Sequence, residues 1–371
     1  MNRTFYSIDE ARLLARKRVP RIMFDYVDGA AGDEQSVALN RSELDKIRLQ
    51  PRVLVNVESR TAAHRIFDQD YKLPFGIAPM GMCNLTWPKA DRLLAEAAVR
   101  HGIPLGLSTM ASTSLESIAS IAAENTWFQL YVSQSLDLAV ELVERAKRSG
   151  YKTLILTVDV PQVAPRRREL RHGFKTPFKM GIPQFVDFAL HPRWSLTSLI
   201  TGVPELANFN QKSSHGTFDR TASRGAVDLD FVRRLRDLWP GKLIVKGVMS
   251  PVDSLMIKNT GADAIYVSNH GGRQLDSAPA AISMLPIIRQ AVGKDYPLIF
   301  DSGVRGGEGI IKALASGASF VMLGRPFMFA IGANGAKGLD NLINILSSEI
   351  NVTLAQLGKT SISQLDHNCL L

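Results

Sequence analysis

The sequence predicts a (β/α)8 barrel, and two observations support this fold. Eight short apolar runs rich in β-forming residues alternate with helical stretches such as 91–100 and 136–148, which is the pattern of parallel βα units. Nearly every run also ends in a polar side chain, as expected where a barrel gathers its active site at the C-terminal ends of its strands. A doubly wound open sheet is the alternative fold. The eight runs span residues 73–79, 104–108, 127–131, 153–159, 242–246, 264–268, 297–302 and 319–323.

The second, third and fourth runs end in groups that can bind a ligand or transfer a proton. Taken singly, each is explained equally well by ordinary hydrogen bonding at the end of a strand. Taken together, they predict a shared site at one end of the barrel. These groups are Ser108, Gln129, Tyr131, Thr157 and Asp159.

Residues 160–241, between the fourth and fifth runs, are much longer than an ordinary βα connection and therefore predict an insertion on the active-site face. Its first part, 166–179, is basic, and the next, 180–206, is apolar and includes Phe185 and Trp194. Prolines and charged residues interrupt the apolar part, so we do not expect it to span a bilayer. Either a monotopic membrane contact or a lid on the barrel or on a neighbouring subunit explains this composition.

The fifth run ends in Lys246, for which two roles are open. A lysine in the mouth of a barrel is either a fixed positive charge, as would suit a flavin, or the nucleophile of a Schiff-base aldolase. The rest of the site favours the fixed charge.

The sixth run opens into Ser-Asn-His-Gly-Gly-Arg-Gln-Leu-Asp at 268–276, the most informative segment of the chain. His270 can transfer a proton, and Arg273 can bind a carboxylate through two parallel hydrogen bonds. Asp159 is suited to orient His270 and to stabilise its protonated form. With Arg166 and a tyrosine, Arg273 predicts a receptor for a carboxylic acid substrate.

Glycine-rich segments follow the last two runs, at 301–307 and 324–326. In a (β/α)8 barrel, the loops after strands seven and eight commonly bind phosphate through backbone N–H groups and an arginine. The sequence therefore predicts a cofactor that carries a phosphate.

Composition limits the class of protein and its partners. We expect residues 1–371 to form one domain, and its formal net charge is +9. The two cysteines, Cys83 and Cys369, indicate neither a disulfide framework nor a metal site. The N-terminal residues lack the apolar stretch of a secretory signal, so we expect a cytoplasmic location. The basic stretches carry no nucleic-acid-binding motif, which leaves an anionic substrate and an anionic membrane surface as the expected partners.

Over essentially its full length, the chain resembles the FMN-dependent L-2-hydroxy acid dehydrogenases and oxidases, the family of glycolate oxidase, L-lactate dehydrogenase and (S)-mandelate dehydrogenase. The nine-residue histidine segment is the most specific match. The matching segments are 24–29, 127–131, 157–159, 268–276, 301–305 and 323–325.

This resemblance implies an N-terminal helical segment before the barrel and assigns roles to the site. His270 would be the active-site base, paired with Asp159, with Tyr131 and Lys246 also among the catalytic groups. The substrate carboxylate would be bound by Arg166 and Arg273 with help from Tyr26 and Tyr131. The FMN-binding residues would be Ala78, Pro79, Met80, Gly81, Ser108, Gln129, Thr157, Lys246, Ser268, Asp301, Gly303, Arg305, Gly324 and Arg325.

Within the family, the pattern at Gly81 and 85–89 is most similar to that of (S)-mandelate dehydrogenase. A glycine at position 81 would free space beside the flavin, which favours an aromatic or bulky L-2-hydroxy acid such as (S)-mandelate. L-lactate dehydrogenase and an oxygen-using oxidase are the alternatives, and a Schiff-base aldolase or a barrel without enzymatic activity are more distant ones. Segment 177–206 resembles the membrane-binding part of the dehydrogenase branch. This segment implies a quinone or similar acceptor and peripheral contact with the inner face of the cell membrane. The family resemblance implies a homotetramer.

Overall fold

The computed structural model describes residues 4–132, 136–173, 181–209 and 224–371. Eight parallel strands form a closed barrel, which confirms the predicted barrel and excludes the open sheet. A separate antiparallel pair, β1 (His64–Ile66) and β2 (Gln69–Tyr71), precedes it. The barrel strands are β3 (Phe75–Met80), β4 (Leu105–Ser108), β5 (Thr126–Leu130), β6 (Thr153–Thr157), β7 (Lys242–Val248), β8 (Ala264–Val267), β9 (Leu298–Phe300) and β10 (Phe320–Leu323). Their order around the barrel is β10-β3-β4-β5-β6-β7-β8-β9.

Helices surround the barrel, and three of them precede it, as the family resemblance implies. A 3-10 turn at His270–Gly272 follows β8. The α-helices are α1 (Ile8–Arg18), α2 (Arg21–Asp28), α3 (Gln35–Lys46), α4 (Cys83–Thr86), α5 (Ala90–His101), α6 (Leu115–Ala122), α7 (Leu136–Arg148), α8 (Arg167–Arg171), α9 (Ile182–Ala189), α10 (Pro192–Thr201), α11 (Leu229–Leu238), α12 (Pro251–Lys258), α13 (Ala281–Val292), α14 (Gly307–Ala315) and α15 (Arg325–Gln356).

The β1–β2 pair covers the end of the barrel where the strands begin. Tyr71 of β2 packs with Trp127 and Phe320, which lie near the starts of β5 and β10, and the Trp127 indole donates to the Tyr71 hydroxyl at 3.1 Å. His64 Nε2 is 2.8 Å from the Ser319 carbonyl oxygen, just before β10. Because this end is filled by aromatic side chains, the opposite, C-terminal end is the one left for a ligand.

The helices of the insertion between β6 and β7 lie on the active-site side of the barrel. Helices α9 and α10 expose a group of large apolar side chains, and the Arg21 backbone N–H donates to Asp187 of α9 at 2.7 Å. Trp194 does not belong to this exposed group, since it is 6% exposed and its indole donates to the Thr86 carbonyl oxygen at 3.0 Å. The exposed apolar residues are Ile182, Phe185, Val186, Leu190, Leu196, Leu199, Ile200 and Val203.

None of the helices among the described residues combines the length and apolar character needed to cross a membrane. Residues 177–180, which are part of the predicted membrane-binding segment, and residues 210–223 of the insertion lie outside the described residues.

Candidate active site

A single cavity at the C-terminal ends of the barrel strands collects most of the predicted site. The residues of the prediction that line it are Tyr26, Ala78, Pro79, Met80, Gly81, Ser108, Tyr131, Arg166, Lys246, His270, Arg273, Asp301, Gly303, Arg305, Gly324 and Arg325.

The other four predicted residues, Gln129, Thr157, Asp159 and Ser268, stand in the wall, each next to a lining residue. The Ser108 hydroxyl donates to Gln129 Oε1 at 2.9 Å, and Lys246 Nζ donates to the Ser268 hydroxyl at 3.0 Å. Thr157 pairs with Lys246 across the β6–β7 ladder, and Asp159 contacts His270.

His270 is fixed in an orientation that suits a base. Its Nδ1 lies 3.0 and 3.1 Å from the two carboxylate oxygens of Asp159, and its Nε2 lies 3.4 Å from the Tyr131 hydroxyl. With the proton on Nδ1 held by Asp159, Nε2 is left as the acceptor. Burial lowers the pKa of His270 below its usual value, while the Asp159 charge opposes that shift. The imidazole is therefore neutral at neutral pH and can accept a proton.

Asp159 remains ionised despite its position. Burial alone would raise its pKa, but its interaction with His270, including the hydrogen bond, and the positive charge of Lys246 together lower it. A carboxylate in this state can hold the imidazole tautomer and stabilise a protonated His270.

The backbone around His270 is unusual and is held by residues that the sequence did not single out. His270 has φ +58, in the left-handed region that non-glycine residues seldom adopt. The preceding Asn269 donates to Ser36 and Asn40 of α3 at 3.1 and 2.9 Å and to the Pro279 carbonyl oxygen at 3.1 Å. This network fixes the loop and sustains the strained conformation.

Gly272 forms a sharp turn after His270 and approaches the backbone of α3 closely. Its φ is +77, and a Cβ at this position would lie 2.6 Å from the Val37 backbone nitrogen. A side chain there would push α3 away from the histidine loop. Glycine is therefore needed both for the positive φ and for this close approach.

The two predicted carboxylate-binding arginines meet at a third residue, Glu169 of α8. Its Oε1 accepts from Arg166 Nη1 and from Arg273 Nη2, each at 3.2 Å. Arg273 Nη1 also donates to the Tyr26 and Gly29 carbonyl oxygens, each at 2.8 Å. Glu169 was absent from the sequence prediction, because no spacing rule links it to Arg273.

Two partly buried arginines of the same cavity, Arg305 and Arg325, lie beside the glycine-rich loops. Arg325 directs its guanidinium to three backbone oxygens, those of Val27 at 3.0 Å, Gly271 at 2.7 Å and Gly29 at 2.8 Å. Arg305 donates from Nη1 to the Val304 oxygen at 2.8 Å. Burial lowers the pKa of both arginines. Their charges make this part of the cavity attractive to an anion.

The cavity fits the FMN implied by the family resemblance. Gln129 Nε2 and Thr157 Oγ1 are buried and lack a hydrogen-bond partner within the described part of the chain. An amide donor and a hydroxyl suit the polar edge of a flavin ring, which offers oxygen and nitrogen acceptors. Lys246 supplies a positive charge nearby and is 3.8 Å from Asp301. Arg305 and Arg325 beside the glycine-rich loops suit a phosphate group.

The rest of the cavity wall is largely apolar and includes residues that the sequence analysis missed. Met110, Val160 and Val163 line it together with Met80. Arg224, from the end of the insertion, also lines it and lies 5.5 Å from the centre of the Tyr131 ring. Neither Met110 nor Arg224 ends a strand, so the strand-end argument could not find them.

Gly81 contacts this wall, and Met110 occupies the space beside it. A Cβ on Gly81 would lie 2.7 Å from Met110 Cβ, and the Tyr26 hydroxyl donates to the Gly81 carbonyl oxygen at 3.2 Å. The glycine therefore makes room first for Met110, and Met110 in turn forms part of the cavity wall.

Comparisons with known proteins agree with one another. The model of the FMN-dependent dehydrogenase family matches residues 15–371. The (S)-mandelate dehydrogenase of Pseudomonas putida is 39% identical over 376 residues, which cover 100% of this chain and 95% of that protein. An L-lactate dehydrogenase of Pseudomonas syringae pv. syringae is 35% identical over 379 residues, covering 98% of each. The crystal structure of the monotopic membrane protein (S)-mandelate dehydrogenase matches with a TM-score of 0.94 at 37% identity and covers 100% of both chains.

Proposed function

Because the chain belongs to the FMN-dependent dehydrogenase family, we propose that it oxidises an aromatic or otherwise bulky L-2-hydroxy acid to the 2-oxo acid, with (S)-mandelate as the first candidate. The observation that carries this proposal is the placement of the His270–Asp159 pair in the same cavity as Arg166 and Arg273. Bound FMN accepts the two electrons of the oxidation.

In this proposal, His270 Nε2 takes a proton from the substrate. The substrate proton comes from the hydroxyl group or from the α-carbon, and the same base serves either route. Asp159 keeps the acceptor nitrogen in place and stabilises the positive charge that His270 then carries. Tyr131, whose hydroxyl is 3.4 Å from Nε2, orients the reacting hydroxyl group.

Arg166 and Arg273 bind the substrate carboxylate, with Tyr26 and Tyr131 on either side. Two guanidinium groups that converge on one small cavity match a carboxylate in charge and in hydrogen-bond geometry. Burial raises the pKa of Tyr131, so its hydroxyl stays protonated and can donate.

Three groups of residues would hold FMN. The polar side chains of Gln129, Thr157, Ser108 and Ser268, with the backbone of 78–81, would bind the ring. Lys246 would place a positive charge near the ring, which suits the negative charge that reduction adds. Arg305 and Arg325, with the backbone of the loops that contain Asp301, Gly303 and Gly324, would hold the phosphate.

The apolar wall favours a bulky substrate over a small one. Met80, Met110, Val160 and Val163 would cover an apolar side chain on the α-carbon, and methionine adapts to rings of different shape. The similarity to a protein named (S)-mandelate dehydrogenase supports the same choice. L-lactate is the second candidate, because a relative at 35% identity is named for it.

We also propose that α9 and α10 bind the inner face of the cell membrane and that a quinone or similar membrane molecule reoxidises the enzyme. Exposed apolar side chains on short helices, on a chain of net charge +9, are the elements of interfacial binding to anionic lipid. A relative of known structure is named a monotopic membrane protein. The homotetramer and the single domain over 1–371 stay predictions.

The test is anaerobic reduction of the purified holoprotein, followed through its visible spectrum. We expect (S)-mandelate to bleach the flavin faster than L-lactate, and (R)-mandelate, the control of opposite configuration, to leave it oxidised. Faster bleaching by L-lactate would replace mandelate by lactate as the substrate. A flavin that neither acid bleaches would contradict both assignments.

A further inference from the structure

Glu169 stands behind the two arginines that face the substrate in the proposed function. It is 5% exposed and is not among the residues that line the cavity, whereas Arg166 and Arg273 both are. One carboxylate oxygen, Oε1, lies 3.2 Å from both guanidinium groups. Glu169 therefore touches the binding groups without reaching a bound substrate.

The two arginines depend on this contact to different extents. Arg273 is held from a second side, by the carbonyl oxygens of Tyr26 and Gly29. For Arg166, Glu169 is the hydrogen-bond partner that the described residues provide, and Arg166 Nε is buried without one. Loss of Glu169 should therefore release Arg166 more than Arg273.

The negative charge of Glu169 also changes the electrostatics of the two arginines. Burial lowers the pKa of Arg273 most, the neighbouring Arg166 charge lowers it further, and the Glu169 carboxylate opposes both. Two arginines alone would present two positive charges to a substrate carboxylate. With Glu169 included, the formal charge of the group is one positive charge, which moderates the attraction for every anion.

The support for Glu169 is itself rigid. The adjacent Arg168 donates to Asp28 at 2.7 Å and also pairs with Glu34, so α8 is fixed to α2 and to the segment after it. Asp28 also pairs with Arg12 at 2.6 Å. Because α2 carries Tyr26, this network links the elements on both sides of the carboxylate site.

We propose that Glu169 is a positioning residue that sets the spacing of Arg166 and Arg273 and offsets one of their charges, so that the substrate carboxylate is aligned but the 2-oxo acid product can still leave. This inference rests on the proposed function, because it takes the two arginines as the carboxylate site. It adds a residue that acts through them.

The experiment compares Glu169→Gln, Glu169→Ala and the unsubstituted holoenzyme, with oxalate as a probe. Oxalate carries carboxylates but no oxidisable carbon, and its binding is followed through the flavin spectrum. In E169Q the amide oxygen can still accept from both arginines while the negative charge is gone. We expect oxalate to bind about three- to tenfold more tightly at low salt, and the difference to shrink at ~0.5 M salt.

In E169A the contact itself is lost. We expect the substrate concentration for half-maximal flavin reduction to rise about tenfold, while the limiting rate changes less than about threefold, since His270 and Asp159 are untouched. Glu116→Gln is the control, because Glu116 also pairs with an arginine, Arg145, and neither residue lines the cavity. The oxalate affinity and the half-saturation concentration should both stay unchanged in E116Q.

Unchanged or weaker oxalate binding by E169Q would overturn the proposal, as would an unchanged half-saturation in E169A. If E169A does not fold, Glu169→Asp takes its place, and its shorter side chain should raise the half-saturation concentration by a smaller factor. Failure of the proposed function looks different. In that case no 2-hydroxy acid bleaches the unsubstituted enzyme, while the oxalate series still responds to E169Q.

Discussion

His270 Nδ1 lies 3.0 Å from Asp159 Oδ1, although the two residues are 111 positions apart in the chain. Asp159 follows β6 and His270 follows β8, so closure of the barrel brings them together at its C-terminal end. The left-handed backbone of His270 and the anchored Asn269 hold the imidazole against the carboxylate. The pair is therefore a product of the fold.

Asp159→Asn should slow flavin reduction by 2-hydroxy acids by roughly 10- to 1000-fold. The amide keeps the size of the side chain but removes the charge that stabilises a protonated His270. Single-turnover reduction under anaerobic conditions measures this effect, and the flavin content and melting temperature serve as controls. A variant that reduces its flavin as fast as the unsubstituted protein would contradict the role of Asp159.

The pH dependence of flavin reduction should show an acid limb below pH ~6.5, the usual pKa of histidine. Burial lowers the pKa of His270, so the imidazole remains neutral, and active as a base, until the pH falls through that lowered value. Because the Asp159 charge raises the pKa of His270, the limb of the Asp159→Asn variant should lie lower still. The pH profile of the reduction rate constant tests both statements, and an acid limb above 6.5 would contradict them.

Gly81→Ala should reduce the preference for a bulky substrate. The added Cβ would lie 2.7 Å from Met110 Cβ, so Met110 must shift and the apolar wall must change. A change of one methyl group in such a pocket is worth about 10-fold in relative rate, and we expect the ratio of (S)-mandelate to L-lactate reduction rates to fall by about that factor. The double variant G81A/M110G removes the Met110 Cβ that the new methyl group meets, and it should recover part of the ratio. An unchanged ratio in G81A would exclude Met110 from the substrate wall.

Replacing Phe185, Leu199 and Ile200 by serine should weaken binding to anionic phospholipid vesicles by about 10-fold or more, because these exposed side chains would otherwise be buried in the interface. Co-sedimentation with vesicles measures the bound fraction. Val53 and Leu54 are also exposed apolar residues but lie outside the insertion, so V53S/L54S is the matched control and should bind as the unsubstituted protein does. Equal loss in both variants would point to general surface hydrophobicity, against the proposed segment.

Much of the fold could be predicted because parallel strands that are buried on both faces appear in the sequence as short, continuous apolar runs. All five residues of β6 are buried, and helix α7 has the bounds 136–148 that the pattern predicts. The family is likewise confirmed, since the histidine segment 268–276 is specific and the family model spans nearly the whole chain.

The parts that could not be predicted are contacts between distant segments. Asn269 is held by its hydrogen bond to Asn40 of α3. Glu169 contacts Arg273 only because the fold brings α8 and the histidine loop together. The composition of the segment that contains Trp194 left both a membrane contact and a lid open, and Trp194 packs inward, with its indole donating to the Thr86 carbonyl oxygen. An apolar side chain in an insertion can face lipid or protein, and composition does not distinguish the two.

Centrally, His270 should be the base that takes a proton from the 2-hydroxy acid, while bound FMN accepts the two electrons. The most direct test is anaerobic single-turnover reduction of the bound flavin by (S)-mandelate and by L-lactate in the unsubstituted protein and in His270→Gln. We predict that H270Q keeps its flavin and its stability but is reduced at least 100-fold more slowly by the preferred acid. Reduction of H270Q at the unsubstituted rate would contradict this role for His270.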